Sequence, residues 1–107
     1  MMLVTTETIS GMRISKTLGL VRGSSIRARH IGRDIMAGLR NIVGGEILEY
    51  AKLIGESREQ ALDRMTAEAE SLGANAVVCV RLTTSVLMGG AAELLAVGTA
   101  VIVEGDP

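Results

Sequence analysis

Apolar positions in this chain recur with two different periods, and the switches between them divide it into strands and helices. Leu3 to Ile9 is short, rich in Thr and Val, and closed by Ser10-Gly11, which predicts a strand. From Arg13 to Val21 the residues alternate, with Ile14, Lys16 and Leu18 opposed to Arg13, Ser15 and Thr17, so a second strand is expected. Gly23-Ser24-Ser25 reads as a turn, and Ile26 to Arg29 continues the extended chain. At Ile31 the period changes. Ile31, Ile35, Leu39 and Ile42 are spaced by four, four and three residues, which places them on one face of a short helix. Asp34 in its first turn and Arg40 in its last follow the charge order of the helix dipole, and Gly44-Gly45 ends it.

A longer helix follows. Ile47, Ala51, Ile54, Arg58, Ala61, Met65, Glu68 or Ala69, and Leu72 form a heptad-like stripe that is apolar except at Arg58, and Glu46 and Glu49 suit its amino-terminal dipole. Gly73 supplies the left-handed residue after the helix, so that Ala74 can reach back to Ala69 in a Schellman arrangement. Ala76 to Val86 alternates as a strand, with Ala76, Val78, Val80, Leu82 and Val86 on one face and Val77, Cys79, Arg81, Thr83 and Ser85 on the other. Met88 to Ala91 is a turn, and Ala92 to Val103 is the partner strand of a hairpin. The sum is one α+β domain over residues 1–107: an antiparallel sheet with one long and one short helix packed on one face. No internal repeat, linker or low-complexity segment interrupts it.

Composition changes this picture in one respect. Of the 107 residues 48% are hydrophobic, yet the one aromatic residue is Tyr50, so the core must be aliphatic. A domain this small buries only roughly 65% of its unfolded surface, and the apolar surplus favours contacts between subunits. A membrane is the other sink, but charges interrupt every apolar run before the roughly 18 residues a spanning helix needs. The first residues have neither a basic leader nor a long apolar stretch, which points to the cytoplasm, as does a single cysteine, Cys79. Net charge is −1, but residues 1–40 carry +5 and residues 41–107 carry −6. These halves can neutralise one another within and between subunits.

Candidate chemistry is sparse. His30 and Asp34 have the i, i+4 spacing of a helical ligand pair, although a capping histidine has the same spacing. Cys79 is the one soft ligand, and with His30 it cannot complete a four-ligand zinc site in a monomer, whereas copies around an axis could add ligands. Gly44-Gly45 opens the long helix and could offer amides to an anion, but no Lys-Ser or Lys-Thr follows and Glu46 and Glu49 repel that charge. Arg22, Arg27, Arg29 and Arg33 crowd one stretch without the stacking rings of a single-strand binder, so nucleic acid is disfavoured. Nothing pairs the lone His with a nucleophile, and no enzyme is expected. Arg58 breaks an apolar stripe, which predicts a buried or interfacial ion pair, with Asp34 or a neighbouring subunit's acid as its partner.

Arg33-Asp34, Arg40-Asn41-Ile42-Val43-Gly44-Gly45, Leu72-Gly73-Ala74-Asn75-Ala76 and Gly98-Thr99-Ala100-Val101, taken in this order, resemble the YbjQ family (UPF0145). These are small bacterial proteins named for heavy-metal binding. The resemblance implies a homo-oligomer, a pentameric ring, acting as a binding module for a metal ion or a small anionic ligand at a shared intersubunit site; the alternative is a structural or adaptor oligomer with no small-molecule chemistry. It also implies structural roles for Gly44, Gly45, Gly73, Asn75 and Gly98. Family members often carry Asp, Asp and Glu at every second residue of the strand that here bears Arg81, Thr83 and Ser85, and often Gly where Cys79 stands. That departure shifts the expected cofactor from a hard cation to a soft divalent metal, with Cys79, His30 and Asp34 as its candidate ligands. Arg33, Arg40, Tyr50, Arg58 and Arg81 are the candidates for a ligand or interface surface.

Overall fold

The computed structural model describes residues 1–27, 44–86 and 92–105, and the side chains among them except at 27, 44–53, 86 and 92. Strand β1 (Met2–Leu3), strand β2 (Met12–Arg27), helix α1 (Gly44–Ser71), strand β3 (Ala76–Val86) and strand β4 (Ala92–Gly105) follow in that order. The strands form one sheet in the order β1-β3-β4-β2. The short helix expected over 31–42 and the turn at 88–91 lie outside the described residues.

Helix α1 sits on the sheet through a narrow ridge. Ser57, Ala61, Met65 and Ala69 are all buried, and their spacing of four residues keeps them on one face. They meet Val21, Val77, Val80, Leu94, Ala96 and Ala100 in a core with no aromatic ring. Small side chains let the helix approach closely. An added Cβ at Gly23 would collide with the backbone of Met65 and Ala61. Gly23-Ser24-Ser25 is therefore no turn: β2 runs unbroken through it, pairing Gly23 with Ala96 and Ser25 with Leu94. The glycine marks the place where helix and strand backbones touch.

At its far end α1 stops as the sequence predicts. Gly73 has φ +87°, the Gly73 amide donates to the Glu70 carbonyl (3.0 Å), and the Ala74 amide donates to the Ala69 carbonyl (3.1 Å), the Schellman pair. Asn75 then behaves as an extra rung of the sheet. Its side-chain Nδ2 donates to the Val103 carbonyl (2.9 Å), while its Oδ1 accepts from the Val103 amide (2.8 Å).

Three expectations need correction. The sheet is mixed, since β1 runs parallel to β3, pairing Met2 with Ala76 and Leu3 with Val77. The strand expected over Leu3 to Ile9 pairs as a strand for two residues only; backbone bonds to β3 continue irregularly through Val4 and Thr6, and Val4, Ile9 and Met12 pack on Ala76, Val78, Val101 and Val103. Of the two helices expected, one, α1, is present among the described residues, and the other falls on residues 31–42, outside them. Alternation in β3 also breaks. Cys79 has φ +56° and sits in a register shift between Val78 and Arg81, so Val77 and Val80 share the helix side while Ala76 and Val78 face the amino-terminal segment. A bulge adds one residue and so reverses every face assignment across it.

Among the described residues helix and sheet do not end together. Ser57 bonds Ser25, two residues before β2 ends at Arg27 in the row that pairs it with Ala92. The thirteen helical residues before Ser57 extend about 20 Å at the rise of an α-helix. Accordingly the Cα radius of gyration is 17.3 Å, against about 13 Å for a compact domain of this length.

Candidate functional site

Where α1 overhangs the margin of β2 the chain forms an open groove of about 600 Å³, lined by Arg22, Gly23, Ser24, Arg64, Glu68, Glu93 and Leu95. Its geometry comes from a polar seam between helix and strand. The buried Ser57 hydroxyl donates to Ser25 Oγ (3.0 Å), and the buried Ser25 hydroxyl donates to Gln60 Oε1 (2.7 Å). One turn on, the Arg64 guanidinium donates to the Ser24 carbonyl (2.5 Å). Ser57, Gln60 and Arg64 are spaced by three and four, so one helix edge carries the whole seam. Buried hydroxyls satisfied in this way fix the rotation of α1 about its axis as well as its distance from β2.

The groove holds two cations and two anions that are not paired with one another. Among the described residues the ion pairs within 4 Å are Arg13 with Glu104 (2.7 Å) and Arg58 with Glu59 (3.8 Å), both exposed. Arg22, Arg64 and Glu68 are exposed and Glu93 is half-buried, so their charges face the open space. Such a surface can meet a charged small molecule or an oppositely patterned protein surface.

Residues 1–104 match the family model for YbjQ, described as "Putative heavy-metal-binding". The chain belongs to the YbjQ family. It is 58% identical over 101 residues to a UPF0145 protein of Methanosarcina acetivorans, spanning 94% of this chain and 95% of that one. A UPF0145 protein of Clostridioides difficile is 54% identical over 106 residues, 99% and 95% of the two chains. One of Archaeoglobus fulgidus is 57% identical over 99 residues, 92% of each. The family therefore extends beyond the bacteria the resemblance implied. Among solved structures, a Pediococcus pentosaceus protein of unknown function in the DUF74 family has a TM-score of 0.66 at 14% identity, covering 97% of this chain and 98% of that one, a likeness of fold alone. The family description names binding and no catalytic activity.

Against that description the residues singled out from the sequence fall into distinct places. Cys79 is half-buried on the bulge beside Val78 and Val101, and among the described residues no group of three or more His, Cys, Asp or Glu side chains is placed to hold a metal. His30, Arg33, Asp34 and Arg40 lie outside the described residues, and Tyr50 is on α1 with its side chain undescribed. Gly44 and Gly45 are the first two residues of α1. Arg81 is a staple for the amino-terminal segment: its guanidinium donates to the carbonyls of Thr5 and Val80, each at 2.8 Å. Gly98 is buried under Val77, whose Cγ1 would lie 2.5 Å from an added Cβ.

Arg58 is not where the stripe put it. Its side chain is 52% exposed beside Glu59, and the ridge position belongs to Ser57. A spacing of four residues through 57, 61, 65 and 69 and a heptad through 54, 58, 61 and 65 differ by one residue at this turn. A polar Ser was passed over as core, yet a hydroxyl partner on β2 makes its burial inexpensive. Arg64, Gln60, Ser25 and Gly23 were likewise missed. Their sequence signals are a charged helix edge and a Gly-Ser-Ser run, both of which read as surface.

No helix among the described residues is long and apolar enough to cross a membrane.

Proposed function

We propose that this YbjQ-family chain is one subunit of a homo-oligomeric binding module, with five copies as the family resemblance implies, and that it holds a metal ion or small anionic ligand at a site shared between subunits. The observation that carries the reading is the groove at the β2 margin, where Arg22, Arg64, Glu68 and Glu93 line an open space and have no ion partner among the described residues. Such a half-walled groove lies where a neighbouring copy can complete it. Large apolar side chains left in solvent beside it support the same placement: Leu20 is 67% exposed and Ile26 58% exposed on β2. Elemental analysis of protein purified without a metal-affinity tag, followed by calorimetric titration with Zn²⁺ and with inorganic phosphate, tests it. Stoichiometric metal, or phosphate binding weakened at least about tenfold by Arg64→Gln, is expected.

A second reading is a structural or adaptor oligomer with no small-molecule chemistry. What favours it is the mixed sign of the groove, because two Arg and two Glu can equally meet a neighbouring subunit's charges. Failure to find either ligand, in an assembly that stays intact, would select it.

A further inference from the structure

We propose that the free margin of β2 forms backbone hydrogen bonds with the free margin of β3 in a second copy of this chain, so that the sheet continues from one subunit into the next. This rests on the oligomeric reading above and names the surfaces that would produce it.

Among the described residues the sheet order β1-β3-β4-β2 leaves β2 at one margin, with no strand beyond it. Because the Ser24 carbonyl is turned outward to Arg64, the amides and carbonyls of Arg22, Ser24 and Ile26 point away from the sheet, while those of Val21, Gly23 and Ser25 point toward β4. From Leu20 to Arg27 the strand pairs one-to-one with Thr99 to Ala92 with no shift. Both of its bulges lie earlier, near Lys16 and Thr17. The second half of β2 thus has neither bulge nor proline, two of the devices that protect a sheet margin from another chain.

At the other margin the chain's own amino-terminal segment covers β3 only part of the way. The Val4 amide donates to the Val77 carbonyl, the Cys79 amide to the Thr6 carbonyl and the Val80 amide to the Val4 carbonyl, all at 3.0 Å. Arg81 closes this run by its bond to the Thr5 carbonyl. Past that point the outward groups belong to Leu82 and Thr84, by alternation from Val80. Residues 81–85 are all exposed, and Thr83, Thr84 and Val86 are β-branched residues that favour strand pairing.

The two margins fit each other in direction. Strands β2 and β3 are each antiparallel to β4, so they point the same way. Rotation about an axis along the strands would set β2 of one copy parallel to β3 of the next, on the line that β1 already begins on β3. The second half of β2 carries Arg22 and Arg27 and no acid, and the amino-terminal segment beside β3 carries exposed Glu7, while Arg81 of β3 is tied to the Thr5 and Val80 carbonyls. Each copy therefore gives one margin and accepts another, a heterologous contact that a ring can close. The incoming strand would also wall the groove at Arg22 and Arg64.

Light scattering together with native-state amide exchange by NMR tests this on the intact chain. Expected is an oligomer in which the amides of Arg22, Ile26, Leu82 and Thr84 exchange at least about 100-fold more slowly than open-chain amides. An intact oligomer in which those four exchange as open chain, while Gly23 and Thr83 stay protected, overturns the pairing and leaves the oligomeric reading standing. A monomer overturns both. Thr84→Pro removes an outward donor without touching the β3–β4 ladder, so it should lower the assembly mass with an unchanged far-UV spectrum; an unchanged mass would sink the proposal.

Discussion

Gly23 and Met65 are in backbone contact: a Cβ on Gly23 would collide with the Met65 amide nitrogen and with the Ala61 carbonyl oxygen. One missing side chain sets the distance between α1 and β2, and with it the overhang that forms the groove. Gly23→Ala should destabilise the fold by more than about 2 kcal/mol, because neither neighbour is a side chain that can turn aside. Urea unfolding of wild type and variant measures it. Gly98→Ala should cost less, since its tightest neighbour is the Val77 Cγ1 side-chain atom. Equal midpoints for wild type and Gly23→Ala would mean that the helix is not seated as described.

Cys79 holds φ +56°, a conformation in which a Cβ costs roughly 1–2 kcal/mol. Cys79→Gly should therefore raise stability by about 1 kcal/mol, and Cys79→Val should lower it. Thermal unfolding decides the sign. A drop on Cys79→Gly would show that the thiol's contacts with the surrounding valines outweigh the backbone strain.

Gly73, at φ +87°, closes α1. Gly73→Val should cost more than about 1 kcal/mol in the same assay, since a β-branched side chain fits the left-handed region poorly. Arg58→Met, by contrast, should change stability by less than about 0.5 kcal/mol, as the side chain is solvated.

These cases also show what was legible in the sequence. The end of α1 was legible because Gly73, Ala74 and Ala69 speak to one another within six residues. The antiparallel pairing of β3 with β4 and the core face at Ala61, Met65 and Ala69 were legible for the same local reason. Gly23 looked like a turn because close approach to a helix forty residues away leaves no local pattern. Arg58 was misplaced because Ser57 owes its burial to Ser25, a partner that periodicity does not reveal. Two residues of β1 pair parallel to a strand more than seventy positions later, and nothing near Met2 encodes that choice. Cys79 signalled a ligand, whereas its backbone angle makes it the bulge residue of β3.

Strand β3 gives a prediction about hard cations. Arg81, Thr83 and Ser85 share a face with Val97, Leu95 and Glu93, where one carboxylate stands against a guanidinium. Hard cations gain affinity from ligand charge, so Mg²⁺, Ca²⁺ and Mn²⁺ should bind weakly, at worse than micromolar levels. Calorimetry on wild type and Cys79→Ser checks this. Submicromolar Mn²⁺ or Ca²⁺ binding would overturn it, whereas Zn²⁺ binding lost on Cys79→Ser would support a thiolate site shared between copies.

The assembly itself is the central claim, and multi-angle light scattering on the untagged chain at micromolar concentration tests it most directly. A mass several times the 11.2 kDa of one chain is predicted. A mass of one chain would contradict the account.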